Sequence, residues 1–219
     1  MAVLDGPRVL AERVLAAQRR SAQTLAPAIA ELLAGQGIQP ADIGLVAATA
    51  GPGSFTGLRV GVTSAKTFAY AVGAEVIGVS TLEALACGVP VERLAGQPRE
   101  VQAVLDAQRG ELFVGRFRSD ANGGLTRLEW DRIIAAEAWL AELPNAAVVT
   151  GSGLKRVEDR LPAGVVAVPP ELREIQAAIV GRLAWRDYNA GRRDDLWKLA
   201  PVYLRPSYAE EKAARIPAP

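Results

Sequence analysis

Two glycine-rich stretches carry the residue types that chemistry could use. Gly51-Pro52-Gly53-Ser54-Phe55-Thr56-Gly57 follows the apolar run Ile43–Ala50 and opens a helix-forming segment that reaches Val72. Gly151-Ser152-Gly153 follows Ala146–Thr150. A strand that runs through a glycine turn into a helix presents backbone N–H groups, and such turns hold phosphates in many nucleotide-binding proteins. The first stretch fails both common tests. A Walker A loop needs four residues between its glycines and then Lys with Ser or Thr, whereas Gly53 and Gly57 enclose three and are followed by Leu58-Arg59. A dinucleotide fingerprint needs a glycine where Thr56 stands. Residue types alone therefore favour a tight turn: glycines for unusual dihedrals, Pro52 for stiffness and Ser54 as helix cap.

Histidine is absent from all 219 residues. That removes Ser-His-Asp hydrolysis, Cys-His proteolysis and the usual zinc sites, and leaves an all-carboxylate magnesium site open. One cysteine, Cys87, excludes an internal disulfide and suits a reducing cytoplasm. Against 24 acidic residues stand 25 basic ones, a net charge of +1, so no strong nonspecific pull on nucleic acid or anionic membrane is expected. Charged residues such as Lys66 and Glu75 interrupt the apolar runs, and Met1–Glu12 lacks the apolar core of a signal peptide.

The elements that must position these turns follow from periodicity. Met1–Leu4 and Arg8–Leu15 read as a hairpin around Asp5-Gly6-Pro7. Ser21–Ala34 reads as an amphipathic helix with Leu25, Ile29, Leu32 and Leu33 at helical spacing, stopped by Gly35 and Gly37. Ile43–Ala50 reads as a buried strand, Phe55–Val72 as a helix closed by Gly73, Glu75–Val79 as a strand and Leu82–Ala86 as a helix capped by Ser80 or Thr81. Gly96-Gln97-Pro98 reads as a linker. Beyond it come strands Val101–Ala107 and Glu111–Phe117, a helix Ala135–Leu143, a strand Ala146–Thr150 and a helix Leu172–Ala190 with Ile175, Ile179, Leu183 and Ala184 on one face. The end is extended and punctuated by proline. Strands mixed with long helices predict an α/β fold. Small residues on the Phe55–Val72 helix (Gly61, Thr63, Ser64, Ala65, Ala69, Ala71) would let another helix approach closely.

GPGSFTGLRVGVTSAKTFAYA (Gly51–Ala71) is similar to the signature of the bacterial TsaB family, also called YeaZ. SAQTLAPAIAELLA, GVSTLEALA, LDAQRGELF and PVYLRPSYAE resemble further segments of that family, in order, so the resemblance runs from Ala2 to Glu210. Gln108 departs from it where an Arg is usual, and Ser21 where His is frequent. The resemblance implies a two-lobed fold like that of actin, hexokinase and the chaperone ATPases. Residues 1–98 would form the first lobe and 99–219 the second, with a tail over about 196–210 packing back on the first. Family members begin with a strand resembling ILALDTSTEACS before the segment matching Ala2–Gly6, so the first strand of the first lobe is expected to be missing here.

The resemblance also implies a function. TsaB-like proteins pair with TsaD, a metal-bearing paralogue that transfers a threonylcarbamoyl group to adenosine at position 37 of tRNAs reading ANN codons. A TsaE ATPase joins the complex, and homodimers form. The implied role is a non-catalytic, cytoplasmic subunit with no catalytic residue, cofactor or metal of its own, meeting tRNA only through the complex and making no contact with membrane. The helices Ser21–Ala34 and Phe55–Val72 would form the partner interface, through Leu25, Ile29 and Leu32 on one and Ser54, Phe55, Leu58, Arg59, Gly61, Val62, Ala65, Lys66 and Ala69 on the other. Asp106 lies where the superfamily places a phosphate-loop acid, and with Gly151, Ser152 and Gly153 it forms a candidate vestigial nucleotide loop. The residues alone read Asp106 as a hairpin carboxylate satisfied by local amides. The alternative function is a sugar-kinase-like phosphotransferase, or a peptidase of glycoprotease type; Asp106 is the one acid that could serve the former.

Overall fold

The computed structural model describes residues 1–15, 21–94 and 99–205. The expected linker at Gly96–Pro98 and the stretch Pro206–Glu210 lie outside them. Strand β1 (Ala2–Asp5) pairs antiparallel with β2 (Arg8–Glu12), and α1 (Ser21–Ala34) then packs on β1 and beside a second helix. Strand β3 (Leu45–Gly51), helix α2 (Phe55–Val72) and strand β4 (Glu75–Ser80) form a β-α-β unit whose strands are parallel. Ser54 caps α2 by accepting from the Gly57 amide at 3.3 Å, and Gly73, at φ 73°, ends it in the left-handed region. Helix α3 (Thr81–Cys87) follows at once, with Ser80 as its cap.

Among the described residues the larger sheet has six strands. They are β5 (Glu100–Asp106), β6 (Glu111–Ser119), β7 (Leu125–Arg127), β8 (Arg132–Ala135), β9 (Val148–Thr150) and β10 (Val166–Ala167), with helix α4 (Ala136–Glu142) between β8 and β9. Their order is β10-β9-β5-β6-β7, and β8 shares the outer edge of β6 with β7. Alternation along β5 and β6 sorts the core into two layers. Val101, Ala103 and Phe117 meet Leu82, Leu85 and Ala86 of α3 on one face. Val104, Leu112 and Val114 meet Trp139 of α4 on the other.

Helix α5 (Ala177–Asn189) lies in the second half of the chain but packs on the strands of the first, β1, β3 and β4, and on α3. Val180, Leu183 and Ala184 join Ile77 and Val79 in a third core cluster. Gly181 makes room for Leu4: an added Cβ would sit 2.7 Å from its Cδ1. Arg182 donates to Pro7 O at 3.0 Å, and Trp185 lies beneath Gly6, so α5 holds the β1–β2 hairpin from below.

Three expectations shift. Helix α5 starts at Ala177 and not at Leu172, because Pro170–Leu172 form a 3-10 turn and Arg173, only 3 % exposed, turns inward to donate to Val168 O at 2.5 Å and to pair with Glu158. Ile175 is therefore exposed and not on the helix face. Strand β3 is half-buried along most of its length and not buried, since among the described residues β4 is its only strand partner. Strand β9 begins at Val148, after Ala146 takes a left-handed φ of 61°. No helix among the described residues is long and apolar enough to cross a membrane.

Candidate partner interface

Helix α2 is amphipathic, and its faces divide the expected interface residues into groups. Leu58, Val62, Ala65 and Ala69 are buried on the side that meets β3 and β4. They belong to the core of the chain itself and are not available to a partner. An arginine at Ala65, which is 8 % exposed, therefore tests folding before it tests binding. Ala65→Arg is expected to cost about 1–2 kcal/mol, since the long stem can carry its charge to the nearby surface; denaturant unfolding reads that loss directly.

A second group is engaged by the chain beyond α5. Lys66 Nζ donates to Trp197 O at 3.1 Å and to Leu199 O at 2.8 Å. The Phe55 ring lies 4.8 Å from that of Tyr203, and Arg59 sits 3.9 Å over Phe55 while donating to the Tyr203 hydroxyl at 3.1 Å. Farther along, Tyr70 meets Trp197 edge to face. These contacts tie one shoulder of α2 to residues 197–203.

The remaining side of α2 points away from β3 and β4. It carries Thr56, Val60, Thr63, Ser64, Thr67 and Ala71, all exposed or half-buried. Ser54, at the cap, is exposed, and an added Cβ at Gly61 would meet nothing within 4 Å. On α1, Ala28 and Leu33 are buried, Leu25, Ile29 and Leu32 are half-buried, and Ala26, Pro27 and Ala30 are exposed. The two helices pack side by side and offer a surface with few long side chains.

The glycine turns are filled from within. Gly51 has φ 134°, and a Cβ there would lie 2.4 Å from Val202 O, while the Val202 amide donates to Ala50 O at 2.6 Å. The first turn thus seats a segment of its own chain. Gly151 has φ 106°, and its missing Cβ leaves room for Val104 O of β5 at 2.2 Å; Gly153 likewise abuts Leu105 backbone at 3.0 Å. Ser152 starts a 3-10 helix, Ser152–Arg156, which lies against β5. Asp106 accepts from the Gln108 amide at 2.8 Å and pairs with Arg156 at 2.7 Å, so its carboxylate has local partners. Gln108, Arg109 and Gly110 all adopt left-handed φ values at the hairpin tip.

Two titratable groups beside α3 are shifted by burial. Burial pushes the Cys87 thiol up to about 11, and the Glu83 carboxylate adds to the effect, so it is not a thiolate nucleophile at neutral pH. Burial also raises Asp131 above the usual aspartate value, against the pull of Arg127 and Ser80. Arg127 pairs with Asp131 and Glu83 and lies over Phe117, which ties the β7–β8 connection to α3.

Comparison with known proteins places this geometry. A family model described as TsaD: tRNA N6-adenosine threonylcarbamoyltransferase matches residues 10–140. Over 198 residues the chain is 30% identical to the tRNA threonylcarbamoyladenosine biosynthesis protein TsaB of Escherichia coli (strain K12), covering 89% of this chain and 84% of that protein. The chain belongs to the TsaB (YeaZ) family. YeaZ from Pseudomonas aeruginosa superposes with a TM-score of 0.78 at 26% identity, covering 93% of this chain and 92% of that one. A tRNA N6-adenosine threonylcarbamoyltransferase of Erythrobacter litoralis (strain HTCC2594) is 43% identical over 120 residues, but these cover 44% of this chain and 35% of that enzyme.

Mapped onto the structure, the TsaB-like segments converge. The Gly51–Ala71 stretch supplies the turn and α2, Gly78–Ala86 supplies β4 and α3, and Pro201–Arg205 closes over the turn. Trp197 and Tyr203 were not among the residues expected to form a site. For Tyr203 the signal was the PVYLR segment itself, whose apolar and aromatic side chains need a surface to cover.

Proposed function

We propose that this chain is the non-catalytic partner of a TsaD-like paralogue in forming threonylcarbamoyladenosine on tRNA. The observation that carries the reading is the match to TsaB across most of the length of both chains. Three features support it. Histidine, with which the paralogue holds its metal, is absent from the sequence. The Cys87 thiol is held protonated by burial. The glycine turns that could cradle phosphate accommodate Val202 and Val104 of the chain itself. The shorter local match to the transferase fits a shared ancestry of the two subunits. A two-lobed architecture of the actin and hexokinase kind, a TsaE-like ATPase as third component, a second copy of the chain as alternative partner, and a cytoplasmic location complete the proposal.

The surface proposed for the TsaD-like partner is the outward side of α2 with the exposed residues of α1. Thr67 lies opposite the buried face, so a large charge there leaves the core alone. Thr67→Arg is expected to weaken association with the paralogue about a hundredfold, the scale of a lost hot spot, with an unchanged melting temperature. Calorimetric titration of the two purified proteins tests this. Normal affinity in both Thr67→Arg and Thr63→Arg chains removes α2 from the interface. Modification of tRNA by this chain alone, given threonylcarbamoyl-adenylate, overturns the non-catalytic role.

A further inference from the structure

Residues Arg192–Arg205 cross from one sheet to the other, and the two ends of this crossing differ. At the α5 end the segment is tightly seated. Arg192 donates to Gly78 O at 2.8 Å and Asp194 accepts from the Gly78 amide at 2.9 Å, so two side chains satisfy the outer edge of β4. Leu199 Cδ1 lies 2.8 Å from where a Gly78 Cβ would be, and Lys66 holds two carbonyls of the same stretch. At the far end the covering is thin. Val202 is 52% exposed and Tyr203 38% exposed, and the segment reaches the larger sheet through Leu204, half-buried against the core between α3 and that sheet, and through Arg205. Arg205 is its polar attachment: it donates to Ala107 O and pairs with Glu111, both beside the β5–β6 hairpin tip.

We propose that Arg192–Arg205 is a strap with a fixed end at Gly78 and a releasable end whose catch is the Arg205–Glu111 pair. Closed, the strap covers Phe55 and Arg59 on the shoulder of α2 and binds the Gly51 turn to the β5–β6 hairpin. Released, it bares the Phe55 ring beside the outward side of α2 and lets turn and hairpin move independently. Glu111 is partly exposed, so the catch is screened by salt. Local opening of this kind needs far less free energy than global unfolding. The inference does not depend on which partner α2 binds.

Amide hydrogen exchange on the whole chain is the test, with the Val202 amide as reporter and the β5 amides, paired on both sides by β6 and β9, as reference. Arg205→Ala is expected to speed exchange at Val202 about tenfold, the effect of losing a charge-assisted contact, with β5 unchanged. Glu111→Gln, which keeps the size of the side chain, is expected to act in the same direction, as is raising the salt concentration with the unaltered protein. Unchanged protection at Val202 in Arg205→Ala, or a rise shared by β5, overturns the proposal.

Discussion

A Gly151→Ala chain is expected to lose about 3–5 kcal/mol of stability, because two separate penalties fall on one methyl group. Gly151 holds φ 106° and ψ 163°, a region that side chains rarely enter, and the new Cβ would lie 2.2 Å from Val104 O in the middle of β5. Strand β5 is central in the sheet and cannot retreat without parting from β6 or β9. For a chain of this length the loss lowers the melting temperature by about 10 °C. Differential scanning calorimetry measures it. The experiment also separates two explanations of the Gly-Ser-Gly turn. A phosphate loop would tolerate the methyl in the free protein and lose nucleotide affinity; a packing glycine loses stability with no nucleotide present. An unchanged melting temperature overturns the packing explanation.

The second large effect is expected at Trp139. Its indole is buried between α4 and the larger sheet, and its N–H donates to Gln102 Oε1 at 2.7 Å. Gln102 in turn donates to Glu100 at 2.7 Å, and Glu100 pairs with Arg116. Trp139→Ala removes the largest side chain of this layer and is expected to cost about 3–5 kcal/mol. Trp139→Phe fills much of the space but leaves the Gln102 carbonyl without a donor, at about 1–3 kcal/mol. Denaturant unfolding of both variants checks the order. Equal losses in the two would mean that the hydrogen bond, and not the volume, dominates at this position.

Much of the fold was legible in the sequence where signals are local. Helix α1 has the expected bounds, Ser54 and Gly73 cap α2 as their types predict, and the hairpin around Gln108–Gly110 joins two alternating strands. The family assignment rested on such local stretches and agrees with the relatives found. What escaped depends on residues distant in the chain. Lys66 and Phe55 looked like partner contacts because nothing in their own helix reveals that Leu199 and Tyr203 come to meet them. Ala65 looked exposed because a small residue is equally at home on a surface and against a strand. Gly51 reads as a tight turn and Gly151 as a candidate nucleotide loop, and neither reading names the atoms that need their missing side chains, because Val202 O and Val104 O are far off in sequence. One miss was avoidable. Asp120-Ala121-Asn122-Gly123-Gly124 is a hairpin signal, and there Asp120 accepts from the Asn122 and Gly124 amides at 2.8 Å to turn β6 into β7.

The position of α5 sets a timetable for the nascent polypeptide. Ile77 and Val79 of β4 are covered by Val180, Leu183 and Ala184, which the ribosome delivers roughly a hundred residues later. Until then the first four strands hold an apolar face with no cover, while α3 and the larger sheet can already assemble through Leu82, Leu85, Val101 and Phe117. Synthesis therefore leaves the β3–β4 layer waiting until α5 has emerged. A chain halted before Ala177 would meet chaperones with that face bare, whereas one halted after Asn189 would already have α5 to cover it.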